Sequence, residues 1–326
     1  MNILIAVPGN LRTVPMSRFV PEALGALGHR VSVVDYSLTL VEKLRARLLR
    51  TSDADAVAAR LLSALERARP ELFVTLYGAN VGERVLGELR ARRVPSANWW
   101  LNDPFQFERA TRILPAYDFA FSNARDSVAA YAARGIRNVH FLPTACEPSV
   151  HRPLPAGERL CDVSFAGDWS AMREQMVGAL VAHGVDLRIF GPWRRKLGAD
   201  SPLHARLEHG FFTPQRMAEI FAACRATLNI HTWRGRFDYG LNPRVFEAAA
   251  CGTPQLVDYK RELDELFDEE QQAAMLVYRS DEELLQQCRR QDWDELRHKA
   301  LAAAPSIQER HSYLARMREL LRTCGK

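Results

Sequence analysis

The residues best suited to chemistry in this chain stand close together in the stretch Phe237 to Asp258, FDYGLNPRVFEAAACGTPQLVD. Asn242 is a good residue to begin a helix, and Pro243 suits its first turn. Gly252 can take the left-handed conformation just past its end, and Pro254 prevents continuation. Gly235 and Gly240 loosen the loop before it. A glycine-bearing loop that delivers a helix start offers free backbone N–H groups and the positive end of the helix dipole, which together suit an anion. Arg244 and Glu247, three residues apart, project from one helical face. The cation and the helix start suit a diphosphate, and the carboxylate one turn deeper suits sugar or ribose hydroxyls. A capped helix with a surface Arg–Glu pair reads equally well as simple packing on these residues alone.

Other candidates sit where predicted strands end. Asp103 follows the strand in NWWLNDP, beside Trp99 and Trp100. Burial there would raise its pKa and make it a candidate general base, or it caps the next helix. His231 ends a strand just before the glycine loop, where it either touches a ligand or serves structure. Gly167 and Gly191 each close a strand, Arg173 lies in the first turns of the helix after Gly167, and Arg194, Arg195 and Lys196 follow Gly191. These positions could contact phosphate.

The segment Glu247 to Pro254, EAAACGTP, resembles the donor-site motif of GT-B glycosyltransferases, in which a glycine-bearing loop leads to a helix carrying Glu, small residues and CGTP. The common retaining pattern has a second Glu eight residues earlier, and Tyr239 stands there. The form with Asn242, Arg244, Phe246 and Glu247 is similar to the CgeB-type, spore-maturation-protein-like branch. Ala145 to Pro153 resembles the hinge of these enzymes, with Glu147, His151 and Pro153 at its recurring positions. The loop from Phe211 to Pro214 resembles the one that frames the donor base, which brings Phe212 into the candidate set. The resemblance implies a donor site built from Gly167, Arg173, Gly191, Phe212, Tyr239, Gly240, Asn242, Arg244 and Glu247, with Asp103 and His231 as candidate catalytic residues and no metal. Asp53-Ala54-Asp55 and Asp292-Trp293-Asp294 match the metal-binding DxD of the other large glycosyltransferase class. Both lie at predicted helix starts, where acidic residues are favoured anyway, and they are discounted.

The elements that position these residues alternate strand and helix twice over. The first round runs from the strand Asn2–Val7 through strands near Val31, Leu72, Ala97, Asp118 and Asn138. Its first loop, Pro8 to Asn10, lacks GxGxxG, so a dinucleotide fingerprint is absent. Leu38 to Arg69 reads as two polar helices broken near Thr51. The second round begins at Asp162, with strands near Val163, Leu187, Ala226, Gln255 and Ala274, and Ser306 to Cys324 reads as one long amphipathic helix. The fold expected is α/β, with two Rossmann-like doubly wound domains facing across a cleft. They comprise residues 1–153 on the acceptor side and 154–304 on the donor side, and a terminal helix 305–326 crosses back.

Composition supports an ordinary globular chain: 326 residues, 47% hydrophobic and 25% charged. A net charge of +5 from 44 basic and 39 acidic residues is mild and spread out, which argues against nucleic acid. Six cysteines without a CxxC pair read as free thiols in a reducing compartment. The opening MNILIAVPGN reads as a strand and not a leader, and no apolar run approaches the ~20 residues of a membrane span. The expected setting is cytoplasmic, with peripheral membrane contact left open. The expected activity is metal-independent transfer of a sugar from a UDP-, GDP- or dTDP-sugar to a glycan, protein or small-molecule acceptor. It requires no separate cofactor. A nucleotide-sugar epimerase and a non-catalytic sugar-nucleotide-binding partner are the alternatives. An NAD-linked dehydrogenase fits poorly.

Overall fold

The computed structural model describes residues 1–9, 15–48, 51–155, 157–208 and 213–326. The chain divides into two compact units, Met1–Pro143 with Tyr313–Lys326, and Thr144–Ser312.

The first unit holds strands β1 (Asn2–Val7), β2 (Arg30–Asp35), β3 (Leu72–Leu76), β4 (Ser96–Trp100), β5 (Phe119–Ser122) and β6 (Val139–Phe141). They form one sheet in the order β2-β1-β3-β4-β5-β6, and every neighbouring pair is parallel. β3 and β4 are buried along their whole length, as parallel strands covered by helices on both faces must be. β2, at the edge, is mostly exposed or half-buried. The terminal helix Tyr313–Thr323 belongs to this unit, where Tyr313 packs edge-on against Trp99 and Arg316 donates to the Pro143 carbonyl, 3.0 Å.

The second unit holds β7 (Cys161–Ala166), β8 (Leu187–Phe190), β9 (Leu207–Glu208), β10 (Cys224–Asn229), β11 (Gln255–Asp258) and β12 (Met275–Tyr278). Their order is β12-β11-β10-β7-β8-β9, again all parallel. The chain therefore builds outward from β7 in one direction, then returns to β10 and builds outward in the other. The switch point lies between β7 and β10, and in open parallel sheets ligands gather beyond the carboxyl ends of the strands at such a point.

Two boundaries differ from the sequence reading. Glu147 to Pro153, expected to close the first domain, lies in the second unit. There the Glu147 N–H donates to His151 Nδ1, 2.9 Å, and Gln308 donates to the His151 carbonyl, 3.3 Å. The single helix expected over Ser306 to Cys324 is two helices, Trp293–Arg310 and Tyr313–Thr323. The break falls where Ser312 bridges to Cys146 and the Cys146 N–H donates to the His311 carbonyl, 2.9 Å. That interstrand-like contact draws His311 and Ser312 out of helical geometry.

The discounted acidic pairs lie at helix starts. Ser52 and Asp55 close a capping box on the helix Asp53–Ala68, and Asp292 precedes Trp293–Arg310 and pairs with Arg290. No helix among the described residues is long and apolar enough to cross a membrane.

Candidate functional site

The glycine-loop helix runs Pro243–Ala250 and is buried from Val245 onward. Its end follows the written signals. Gly252 takes φ +64, and a Cβ there would come within 2.7 Å of Leu301 Cδ2. The Thr253 hydroxyl donates to the Phe221 carbonyl, 3.2 Å, and Gln255 Nε2 donates to the Val245 carbonyl, 2.9 Å. The CGTP signature thus locks the helix to β11 and to the neighbouring helix Pro214–Ala222.

At the other end of this helix, Asn242 occupies the capping position, yet its side chain makes no capping bond. It pairs reciprocally with Asn229 at the end of β10: Asn242 Nδ2 donates to Asn229 Oδ1 at 2.8 Å, and Asn229 Nδ2 donates to Asn242 Oδ1 at 3.2 Å. The helix start is thereby tied to the sheet at the switch point, and the Asn242 side chain leaves the first-turn N–H groups uncapped. Arg244 Nη1 donates to Glu247 Oε2 at 2.7 Å, with Glu247 nearly buried and Arg244 partly exposed. The Arg244 guanidinium also lies 5.7 Å from the Phe221 ring centre.

His231 is fully buried, and both ring nitrogens are engaged. Nδ1 meets Asp258 Oδ1 at 2.7 Å, and Nε2 accepts the Asn242 backbone N–H at 3.2 Å. The neutral ring with its proton on Nδ1 satisfies both bonds. Burial pushes the imidazole pKa down, and the Asp258 carboxylate works against that only in part. These bonds tie the loop before Asn242 to the ends of β10 and β11 through the His231 ring. Asp258, the carboxylate that orients it, also takes Lys260 Nζ at 2.6 Å on Oδ2. Burial works to raise the Asp258 pKa, but the His231 and Lys260 partners together hold it well below the usual carboxylate range.

Arg173 bridges the switch point. Its Nε and Nη2 donate to the Ile230 carbonyl at 3.2 and 2.6 Å, and Nη1 donates to the Asp168 carbonyl at 3.0 Å. Burial lowers its pKa. Three of its five N–H donors are committed to carbonyls, which leaves two for another acceptor.

The glycines serve the backbone. Gly167 N–H donates to the Phe190 carbonyl, 3.0 Å, and its carbonyl accepts from Trp193 Nε1, 2.9 Å. A Cβ on Gly191 would lie 2.2 Å from the Gly167 oxygen, so the β7 and β8 ends meet only because residue 191 has no side chain. Arg194, Arg195 and Lys196 are exposed. Gly240 N–H donates to the buried Glu262 carboxylate at 2.8 Å, and the Tyr239 carbonyl accepts from Trp233 Nε1 at 2.9 Å. Phe212 lies outside the described residues, as do Asn10 and Phe211.

Asp103, in the first unit, is fully buried. Ser122 donates to Oδ2 at 2.6 Å, and Tyr131 donates to both oxygens at 2.9 Å. Asn123 clasps its backbone: the Asp103 N–H donates to Asn123 Oδ1 at 3.0 Å, and Asn123 Nδ2 donates to the Asp103 carbonyl at 2.9 Å. Burial raises its pKa to about 6, against the pull of Ser122 and Tyr131. The raised pKa matches the expectation, but both oxygens are enclosed, so the geometry is that of an internal hub and not a base facing solvent.

Sequence reasoning missed Asp258, Lys260 and Asn229, and treated His151 only as a hinge residue. His151 is buried beside Glu247 and Arg244, whose charges act on it, and burial lowers its pKa. Asp258 ended a predicted strand, which was its one available signal. Beside this network, beyond β10, β11 and β12, lies a cavity of about 350 Å3 whose lining includes Arg234, Arg236, Lys260 and Arg279 with Asp238 and Asp258.

Residues 173–322 match the family model described as glycosyl transferase-like. No curated protein matches the chain significantly. Among solved structures, the chain is similar to sucrose-phosphate synthase from Thermosynechococcus elongatus, with TM-score 0.70 at 13% identity over 99% of both chains. It is similar to Anabaena Alr3699/HepE in complex with UDP and glucose, with TM-score 0.68 at 12% identity over 100% of both chains. It is also similar to a putative UDP-N-acetylglucosamine 2-epimerase from Listeria monocytogenes, with TM-score 0.55 at 10% identity over 98% of this chain and 95% of that one. Two six-stranded parallel α/β units, full-length likeness to these structures and a glycosyl transferase-like match across the switch-point residues identify the fold as GT-B.

Proposed function

We propose that this protein transfers a sugar from a nucleoside-diphosphate sugar to an acceptor nucleophile, with the donor held by the second unit. The observation that carries the reading is the start of the helix Pro243–Ala250 at the switch point, its side-chain cap diverted to Asn229 and its Arg244–Glu247 pair one turn in. In transfer, the acceptor oxygen bonds to the anomeric carbon and gives up its proton to the departing diphosphate oxygen or to water, and the bond from that carbon to the diphosphate oxygen breaks with its electron pair. Negative charge grows on the diphosphate. The helix start and Arg244, with the two uncommitted donors of Arg173, would stabilise that charge without a metal. Glu247 orients donor hydroxyls. His231 and Asp258 hold the loop that carries the helix start. Asp103 supports its own strand end, and the reading assigns no protein base.

A uridine donor is the first to try, because the HepE structure holds UDP and glucose. The CgeB-like branch is the finer placement within this reading. The test is thermal unfolding of the whole chain with UDP, GDP, dTDP, CDP, ADP or NAD. A ligand at ~100 times its dissociation constant stabilises by about 2.7 kcal/mol. A shift with one nucleoside diphosphate that disappears in Arg244→Ala is expected. A shift with NAD alone, or folded Arg244→Ala and Glu247→Ala variants with full transferase activity, refutes the reading. The likeness to a putative epimerase favours one second reading, in which sugar isomerises with no acceptor present. Tyr239 in place of the usual Glu favours another, a non-catalytic sugar-nucleotide-binding partner, which would bind donor without turning it over.

A further inference from the structure

All six cysteines are free thiols, and two of them meet. Cys161 opens β7 and Cys224 opens β10, and the parallel register of the two strands sets them side by side. Neighbours across a sheet point to the same face. Adjacent strands lie about 4.7–4.9 Å apart, within the roughly 4.4–6.8 Å between α-carbons that a disulfide spans. The sulfur atoms stand 3.3 Å apart, and either thiol can donate to the other. The Cys161 sulfur also lies 3.3 Å from the Val163 carbonyl oxygen. Both residues are buried, in a cluster with Phe221, Ala248 and Cys251.

The pair is chemically uneven. Arg297 lies beside Cys224: its Nη2 donates to the Cys224 carbonyl, and its Nη1 donates to the Gly252 carbonyl at 3.0 Å. The hydrogen bond with Cys161 lowers the Cys224 pKa, burial opposes that, and the Arg297 charge adds to the lowering. The same bond, together with burial, raises the pKa of Cys161. Cys251 shares the cluster, but burial pushes its thiol up to about 12. The thiolate is the form that attacks an oxidant, so Cys224 is the attacking sulfur and Cys161 the resolving one. Access comes from a cavity of about 280 Å3 whose lining includes Leu160 and Ala223, the residues just before each cysteine, with the exposed Glu158 and Arg216. The Leu160 N–H donates to the Ala223 carbonyl at 2.9 Å, which joins the two strand starts in the cavity wall. The thiols lie one residue inside that wall.

We propose that Cys161 and Cys224 are a modification site, closing to a reversible disulfide under peroxide and stapling the second unit across its switch point. The Cys224 thiolate bonds to one peroxide oxygen, and the O–O bond breaks with its electron pair to leave hydroxide. The Cys161 sulfur then attacks the Cys224 sulfur, and the sulfenic oxygen leaves as water with the Cys161 thiol proton. Hydroxide takes up the proton that Cys224 had shed. Two thiols and one hydrogen peroxide give one disulfide and two waters, and the sulfurs lose the two electrons that the peroxide gains. The link joins residues 63 apart in the chain, at the amino ends of β7 and β10, opposite the ends that lead to Gly167 and Asn229. It therefore restricts the unfolded chain and holds for any activity of the second unit.

The test exposes the folded, reduced full chain to hydrogen peroxide, removes the peroxide, alkylates the remaining thiols with iodoacetamide in denaturant and maps peptides by mass spectrometry without reduction. A linked pair of peptides carrying Cys161 and Cys224, lighter by two hydrogens and separated by dithiothreitol, is expected, with Cys251 still alkylated. Cys161→Ala should abolish the link and leave a Cys224 sulfenic acid that dimedone labels. Oxidised wild type should unfold at a temperature higher than the reduced protein by about 5 °C or more, a rise absent from Cys161→Ala. Three results overturn the proposal: both thiols remain reduced at peroxide that oxidises the half-buried Cys288, the link runs through another cysteine, or the oxidised protein resists heat no better than the reduced one.

Discussion

Replacing Asp103 by Asn should stabilise this protein, and the gain should grow with pH. In the native state the carboxyl is enclosed by Ser122, Tyr131 and Asn123, and burial raises its pKa from the ordinary 3.8 to about 6. Because the folded value lies above the unfolded one, its stabilising contribution is complete below 3.8 and is lost as pH rises through about 6. The full loss amounts to about 3 kcal/mol by linkage, of which about half has accrued by pH ~5. Asn carries no charge to desolvate. Its amide N–H replaces one acceptor oxygen, and the Ser122 or Tyr131 hydroxyl must turn to accept from it, at a cost of about 1 kcal/mol. That cost is independent of pH, so the decisive quantity is the change in the stability difference. Urea unfolding of both proteins should show Asp103→Asn gaining about 1.4 kcal/mol relative to wild type between pH ~5 and pH ~8. A stability difference that stays constant with pH, or moves the other way, refutes the burial argument. Loss of transferase activity in a folded Asp103→Asn protein would restore Asp103 as a base.

Two further substitutions test the second unit. His231→Ala removes a donor to the buried Asp258 and the acceptor of the Asn242 N–H, and should cost about 3–5 kcal/mol in denaturant unfolding. Its pH signature is separate: the His231 pKa is lowered in the fold, so wild type should lose stability as pH falls below 6.5, and this part of the dependence should vanish in the variant. Gly191→Ala would place a Cβ 2.2 Å from the Gly167 oxygen, where backbone must shift, and thermal unfolding should show a loss of about 1–3 kcal/mol. An unchanged transition would mean that the β7 and β8 ends can part freely.

Much of the arrangement was legible because it is local. The strands alternate with helices at spacings that only a parallel sheet satisfies. The helix Pro243–Ala250 carries its own start and stop signals, and EAAACGTP locks it to the strand that follows within a few residues. Arg244 and Glu247 meet because helical geometry brings residues three apart together. Periodicity and capping residues encode such relations directly in the chain.

What only the tertiary structure decided depends on partners distant in sequence. Nothing local pairs His231 with Asp258, or Asn229 with Asn242. The parallel register of β10 beside β11, and the return of the chain at the switch point, bring them together. Asp103 looked like a base because strand ends commonly face ligands, but Ser122, Asn123 and Tyr131 come from the next strand and helix and enclose it. The helix Leu40–Leu48 reads as polar in sequence, and the exposure of Leu40, Val41, Leu44 and Leu48 shows only in the fold. There Glu42 pairs with Arg60, while Leu40, Val41, Leu44 and Leu48 face water. The residues of this sequence determined which elements form and which chemistry they carry. The pairing of strands remote in the chain determined which of those groups are closed off, which are held in place and which remain open to a ligand.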